Sequence, residues 1–196
     1  LKDFHVDKVW INGEFVAEDG KYLPEIQVHD ISSVKGSVIV KDFSKEKFKM
    51  NLKSNKVNVI KILPGGVVTA KDTAEIELDA NGEFVRNPEV DLVKVAVVER
   101  HQGTGNVACG FLKGYGIKEG AVALSVAHDS HNIIVVGVND EEMEFAVNSL
   151  IEQEGGIVLV KEGKVIESMP MPIAGLMSDQ SGEWVDQKLT DIHEKA

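Results

Sequence analysis

The sequence is poor in the features that mark several specialised classes of protein. It has a single cysteine, Cys109, which excludes an internal disulfide framework and is typical of a reducing cytosol, so we expect a cytoplasmic protein. No apolar run approaches the roughly 20 residues of a membrane-spanning helix. The chain also opens without the basic and then apolar segments of a secretory signal. We therefore expect no membrane partner.

Basic residues are scarce as well. The chain has 21 lysine and arginine residues against 32 aspartate and glutamate residues, which gives a net charge of −11. These charges are spread along the sequence, whereas a protein that binds a phosphate backbone needs a basic face. The composition argues against a nucleic acid polymer as a partner.

Both ends of the chain indicate that it belongs to something longer. It begins with Leu1 rather than Met, and the amphipathic pattern that starts near Gly182 reaches Ala196 without a C-capping signal. The isolated chain is expected to self-associate, as a homo-oligomer, or to have mobile ends, because it exposes apolar residues near both ends that the parent protein covers. They are Val9, Ile11, Val185 and Leu189.

Turn signals between short apolar segments predict a sheet built mainly from hairpins. Asn-Gly, the strongest short hairpin signal, occurs at Asn12-Gly13 and again at Asn81-Gly82. A third hairpin is predicted around Glu162-Gly163, and a strong strand over residues 90–98. Because strands outnumber helices and hairpins connect most of them, the predicted fold class is α+β, with a largely antiparallel β-sheet and flanking helices.

Helical periodicity is clearest over residues 140–154. Five apolar residues fall on one stripe there, Asn139 or Asp140 can cap the start, and Gly155-Gly156 follows the end. A second amphipathic helix is predicted from Gly182 onward. A third, short helix is predicted over residues 107–113, and residues 24–55 are the least regular part, with one short strand at residues 37–40.

The most unusual stretch places five polar residues between two apolar runs. The runs, residues 121–127 and 133–138, have strand length and do not alternate cleanly, so both are expected in a covered sheet. Between them lie His128, Asp129, Ser130, His131 and Asn132. Burying a carboxylate and two imidazoles costs several kcal/mol unless the groups are paired or used. The pattern indicates chemistry, with His128, Asp129 and His131 as candidate catalytic residues in a supporting role.

The same five residues are also compatible with a structural role or a metal-binding role. They can form a polar turn whose short side chains bond one another and the backbone. Two histidines three residues apart can also bind a metal, but a third ligand must then come from elsewhere, and His101 is the nearest candidate in sequence. A nucleophile elbow of the G-x-S-x-G kind is absent from the sequence.

A glycine pattern follows the strand predicted at residues 90–98. Gly103-x-Gly105 resembles the start of a dinucleotide fingerprint, and some variants of that fingerprint accept an alanine at the position of Ala108, but no acidic residue follows at the required distance. A backbone turn that lets His101 and Asn106 face a ligand is favoured. With Ser130, these two are the candidate substrate-binding residues.

Four segments resemble the C-terminal part of the bacterial and archaeal adenine deaminases of the amidohydrolase superfamily. They are VERHQGTGN (residues 98–106), SVAHDSHNI (125–133), GVND (137–140) and PIAGLMSD (172–179), in the order of the family. The opening hairpin, from VWING at 9–13 to EDGK at 18–21, resembles the returning strands of the small β-sandwich that accompanies amidohydrolase barrels. The resemblance implies sandwich strands at residues 1–25 and a C-terminal α+β domain at residues 26–196, truncated at its end.

The resemblance also implies an activity for the parent protein. Adenine deaminases hydrolyse adenine to hypoxanthine and ammonia in purine salvage or catabolism, as metal-dependent aminohydrolases acting on a cyclic amidine. The divalent metal, expected to be manganese, belongs to the barrel, whose ligands include a His-x-His that this sequence lacks. No metal ligand is therefore assigned here, and the chain alone is expected to be inactive.

Two alternatives remain beside this interpretation. The chain can be a stand-alone module that binds a purine or another subunit without catalysis. It can also be an unrelated small hydrolase that holds its own metal with His101, His128 and His131.

Overall fold

The computed structural model describes residues 5–65 and 67–196, and it divides the chain into two compact units. The first unit ends at Ile31 and the second is Ser32–Ala196. The first four residues of the predicted sandwich segment lie outside the described residues. No helix among the described residues is long and apolar enough to cross a membrane.

The first unit contains a small antiparallel sheet. Its strands are β1 (Lys8–Ile11), β2 (Glu14–Glu18) and β3 (Lys21–Tyr22), in that spatial order. Asn12 and Gly13 connect β1 to β2 with φ values of 50° and 85°, and a type I′ turn requires positive φ at both central residues. The predicted Asn-Gly hairpin is confirmed.

The second unit is organised around an eight-stranded sheet with the order β13-β12-β10-β11-β8-β9-β4-β5. All neighbours pair antiparallel except β4 and β9, which pair parallel. The strands are β4 (Lys56–Ile62), β5 (Thr69–Glu75), β8 (Leu92–Val98), β9 (Val107–Lys113), β10 (Ala121–Leu124), β11 (Ile133–Gly137), β12 (Gly156–Lys161) and β13 (Lys164–Pro170). A two-stranded ribbon, β6 (Glu77–Leu78) and β7 (Phe84–Val85), forms the predicted hairpin around Asn81-Gly82.

Two helices complete the second unit: α1 (Asp140–Glu152) and α2 (Gly182–Lys195). Two short 3-10 turns, Ser32–Val34 and Lys45–Phe48, precede the sheet. The predicted class, α+β with a largely antiparallel sheet and flanking helices, is confirmed.

Two local predictions are wrong. Val107–Lys113 is strand β9 rather than a helix, because it pairs with β8 along its whole length and with β4 on its other edge. Such cross-strand pairing overrides weak local preferences. Residues 37–40 form no strand. The amide of Ile39 instead donates to the carbonyl of Arg100 at 2.8 Å.

Helix α1 covers one face of the main sheet. Its cap is Asn139, whose side-chain oxygen accepts a hydrogen bond from the amide of Glu142 at 2.8 Å. The buried side chains of α1 pack against alternate residues of β8, β10, β11 and β12. On the helix these side chains are Met143, Ala146, Val147 and Leu150.

Helix α2 packs on the opposite face of β10, β12 and β13, where Ile192 contacts Leu159 and Met169. Lys188 Nζ lies 2.6 Å from a carboxylate oxygen of Glu167 on β13, and Lys195 bonds the other oxygen. Because Val185 and Leu189 are half-buried in this contact, the expectation that they are exposed is wrong.

Candidate functional site

Three of the four family-like segments meet at one end of the main sheet. β8 ends where β11 begins, since Val98 pairs with Ile133, and β10 ends nearby, since Leu124 pairs with Ile134. This register brings the loop at residues 99–106 beside the loop at residues 125–132. We call these two loops, together with the turn at residues 173–177, the loop cluster.

Glu99 ties the first loop to itself. Its Oε1 accepts hydrogen bonds from the amides of His101 at 2.5 Å and Gln102 at 2.8 Å. Its Oε2 accepts from both the amide and the hydroxyl of Thr104, each at 2.9 Å. Since these donors favour the ionised carboxylate, the bonds from Thr104, Gln102 and His101 lower the pKa of Glu99 to about 2. The ionised side chain of Glu99 therefore holds its own loop in place.

Arg100 connects the first loop to three other segments. Only 1% of its surface is exposed. Its Nε donates to the carbonyl of His131 at 2.5 Å, and its Nη2 donates to the carbonyl of Ala174 at 3.2 Å. Its Nη1 lies 3.4 Å from the carbonyl of Ser37, and its own amide lies 3.4 Å from the Oδ1 of Asn132. Burial lowers the pKa of Arg100, but arginine starts so high that the guanidinium stays charged.

The carbonyl groups that receive these bonds belong to unusual backbone conformations. His131 and Ala174 have φ values of 49° and 56°, in the left-handed region that residues with side chains rarely adopt. Gly175 lies so close that a Cβ atom there would be 2.7 Å from Nη1 of Arg100. A side chain at position 175 would therefore meet the guanidinium, in addition to the strain of a φ of 69°.

Ser125 holds the third segment from its other side. It is fully buried, and its hydroxyl donates to the carbonyl of Gly175 at 2.6 Å and accepts from the amide of Gly156 at 2.7 Å. The turn at residues 173–177 is thus fixed between Arg100 and Ser125.

The predicted catalytic residues lie at the tip of the second loop. His128 and Asp129 are in contact through Nδ1 and a carboxylate oxygen, and their side chains are 89% and 85% exposed. The expectation that these groups are packed between buried strands is wrong. The strands are covered, but the loop between them extends into solvent. Desolvation cost consequently gives no argument for catalysis at His128 and Asp129.

The candidate residues nevertheless share one surface. His101 is exposed, and its Nε2 lies 2.8 Å from the carbonyl of Ser130, which joins the two loops. The ring of half-buried His131 has its centroid 6.2 Å from that of His128. Among described residues, no hydrogen-bond partner reaches Nδ1 of His131, although that atom is buried. Asn106 closes the first loop, since its carbonyl accepts from the amide of Glu99 at 3.0 Å.

The loop cluster does not contain a metal-binding set. In residues 5–65 and 67–196, the one group of three possible ligands is His5, Asp7 and Asp19 in the first unit, and all three are exposed. Within those same ranges, His101, His128 and His131 form no such group. The histidines of the loop cluster are therefore not arranged around a metal of their own.

The residues that organise the site were not identified from the sequence. Arg100, Glu99 and Ser125 fall within the family-like segments, but nothing local distinguishes a buried arginine from one on the surface. The usable signal was position, since Arg100 follows the buried strand β8 almost directly. A charged residue at the end of a buried central strand is a candidate for a buried hydrogen-bond centre.

The chain is similar to known proteins over its whole length. The family described as adenine deaminase C-terminal domain matches residues 66–196. Adenine deaminase 2 of Desulfotalea psychrophila is 63% identical over 196 residues, which are 100% of this chain and 34% of that protein. The adenine deaminase of Ligilactobacillus salivarius is 48% identical over 93% of this chain and 32% of its own length. That of Bacillus subtilis is 39% identical over 100% of this chain and 34% of its own length.

The match covers only part of the length of these relatives. The chain spans about a third of the length of the curated relatives, and it corresponds to their C-terminal part. The interpretation as an unrelated small hydrolase is wrong, because a family match over residues 66–196 covers more than half of the chain. The chain belongs to the adenine deaminase C-terminal domain family.

Proposed function

We propose that this chain acts as the C-terminal part of an adenine deaminase and that its loop cluster borders the pocket that binds adenine. The proposed reaction is hydrolysis, in which adenine and water give hypoxanthine and ammonia. The divalent metal, manganese, and the amidohydrolase barrel that holds it belong to the preceding two thirds of the protein. On this proposal the isolated chain does not turn over adenine.

The observation that supports a role for the loop cluster is the convergence of three family segments on buried Arg100. A loop that only reverses the chain does not need a guanidinium to hold residues at positive φ. His128 and Asp129 project from this anchored loop as an exposed imidazole–carboxylate pair. Such a pair can orient a proton carrier, and general acid–base catalysis contributes about 10²–10⁴-fold in rate.

The remaining candidates are proposed to bind the purine rather than to move protons. Imidazole nitrogens, hydroxyl groups and amides can bond the ring nitrogens of adenine as donors or acceptors. His101, Ser130 and Asn106 carry these groups in the two loops, and all three residues are exposed. His131, whose carbonyl accepts a bond from Arg100 and whose ring lies beside that of His128, stays with the catalytic candidates.

Location and assembly are parts of the same proposal. The single cysteine is typical of a cytoplasmic protein. Exposed apolar residues in the first unit, Trp10 at 57% and Ile11 at 56%, favour self-association of the isolated chain, and a homo-oligomer of the full-length protein is part of the proposal. The net charge of −11 argues against a nucleic acid polymer as a partner.

The test uses a chimera with the Desulfotalea psychrophila enzyme, whose matching third is 63% identical. Its C-terminal third is replaced by this chain. We expect the chimera to release ammonia from adenine, and the isolated chain with manganese to release none above a protein-free control. Asp129→Asn in the chimera should lower kcat/KM at least about tenfold, or roughly 1.4 kcal/mol, without moving Tm, since Asp129 is exposed.

The matched control is Glu162→Gln, an exposed carboxylate in the turn at the opposite end of the sheet. It should leave both the kcat/KM and the Tm of the chimera unchanged. Unchanged kinetics in Asp129→Asn would remove this pair from the adenine pocket. A folded but inactive chimera would contradict the proposed activity.

A further inference from the structure

One face of the main sheet is only partly covered. Helix α2 lies on this face over β10, β12 and β13. Over β11, β8, β9 and β4, the side chains that point the same way line an open groove of about 420 Å³. We call this surface the open face. Its main side chains are Ile60, Val95, Val97, Leu112, Leu124 and Ile134.

The open face is apolar and central in the sheet. Among the described residues that line the groove, none has a charged side chain, and Thr69 and Tyr115 contribute the only polar side-chain groups, because the thiol of Cys109 lies on the opposite face of the sheet and contacts the carbonyl of Lys47. Ile60 is 47% exposed and Val97 is 36% exposed, although both lie on interior strands. Soluble monomers rarely leave a contiguous apolar patch on such strands uncovered. The open face has the character of an interface.

The edge of the open face is polar. Ile60 on β4 pairs directly with Lys71 on β5, and residues opposite each other share a face. Lys71 is exposed, so the open face is apolar at its centre and charged along the edge strand β5. An apolar centre with a polar rim is the usual anatomy of a protein–protein interface.

Two observations indicate what covers the open face. First, this chain is 34% of the length of its Desulfotalea psychrophila relative, so a body about twice its size precedes the matching part there. A covalently attached body is present at high effective concentration. Second, the groove leads directly into the loop cluster: Val97 precedes Glu99 by two residues and Leu124 precedes Ser125. A body that presents adenine to the loop cluster meets the open face at the same time.

We infer that the open face docks against the preceding two thirds of the adenine deaminase, through a mainly apolar interface adjoining the loop cluster. The inference rests in part on the proposed function, which places the adenine pocket beside these loops. The partner surface it requires is apolar at its centre, because a charge opposite Val97 or Ile134 would be desolvated without a partner.

Cysteine labelling tests this docking without depending on activity. Val97→Cys is made in the isolated chain and in the chimera, and alkylation by N-ethylmaleimide at residue 97 is followed by peptide mass spectrometry. We expect labelling at least about tenfold slower in the chimera, because the centre of an interface packs as tightly as a protein interior. The control is Val165→Cys on the edge strand β13, 44% exposed and outside the groove, which should label equally in both proteins.

The outcomes separate this inference from the proposed function. Equal labelling of residue 97 in the two proteins overturns the docking, even if Asp129→Asn lowers kcat/KM. Protection of residue 97 together with unchanged Asp129→Asn kinetics supports the docking and removes the His128–Asp129 pair from the pocket. Slow labelling in the isolated chain that becomes fast on dilution would assign the open face to a second copy and overturn the inference.

Discussion

Replacing Arg100 with methionine removes the guanidinium that connects the loop cluster while keeping a long apolar side chain. The carbonyls of His131 and Ala174 then lose donors at 2.5 and 3.2 Å, and that of Ser37 loses a weak one at 3.4 Å. A buried acceptor left unpaired costs about 1–3 kcal/mol. The variant no longer buries a charge, which offsets part of this cost. We therefore expect the free energy of unfolding to fall by about 3 kcal/mol.

For a domain of this size, 1 kcal/mol corresponds to about 2–4 °C, so Tm should fall by about 6–12 °C. The Tm of Arg100→Lys should lie between those of the wild type and Arg100→Met, since an ammonium keeps the charge but cannot reproduce a planar set of donors. The matched control is Arg86→Met. Arg86 is half-buried and donates one bond, to the carbonyl of Ile117 at 3.2 Å, so a loss of about 1 kcal/mol or less is expected.

The assay is urea unfolding of the chain, combined with hydrogen exchange of the His131 and Asn132 amides. In Arg100→Met these amides should exchange faster than the global change in stability accounts for, because the loop has lost its anchor. A free energy of unfolding within about 0.5 kcal/mol of wild type, with unchanged loop exchange, would refute the anchoring role of Arg100.

Two further predictions concern neighbouring groups. Ser125→Ala should lower the free energy of unfolding by about 2–4 kcal/mol, measured by calorimetry, because the Gly175 carbonyl and Gly156 amide both lose a buried partner; a Tm equal to wild type would contradict this. Glu99 has a folded-state pKa of about 2, below its usual 4.5, so its stabilising contribution is complete above about pH 4.5 and is lost as the pH falls towards 2. Glu99→Gln should therefore be less stable than wild type at pH 7, and this difference in stability should become smaller between pH 4.5 and pH 2. A difference in the urea midpoint that does not change with pH would show that the charge of Glu99 is not the cause of the stabilisation.

Features set by neighbouring residues were predictable from the sequence. The turn at Asn12-Gly13 follows from the φ values those residues tolerate, and helix α1 follows from an apolar stripe between Asn139 and Gly155. Strand β9 was not predictable in this way, because its conformation depends on pairing with β8 along its whole length and with β4 at its end, and its own local pattern shows neither pairing. Local composition suggested a helix, and pairing on both edges decided otherwise.

In the candidate site, too, some features were predictable from the sequence and others were not. The position of His128 and Asp129 between two covered strands was predicted, but their exposure was not, because the length of a loop does not reveal whether it folds inward. Arg100 was missed because its partners are carbonyl groups, which every residue possesses. The sequence does not show which backbone carbonyls a buried cation will bind, so the position of Arg100 just after the buried strand β8 is the one indication that the sequence offers.

The place of β4 in the sheet bears on where this domain begins. The family match starts at residue 66, between β4 and β5, yet β4 lies between β9 and β5 and is the only strand that β5 pairs with in the described chain. Phe48, further upstream, is fully buried in the core, and its carbonyl accepts a bond from Lys94. A polypeptide cut at residue 66 would have an unpaired β9 edge, a feature that promotes aggregation. The compact unit that contains β4 and Phe48 is therefore longer than the part that the family model matches, and it begins at Ser32.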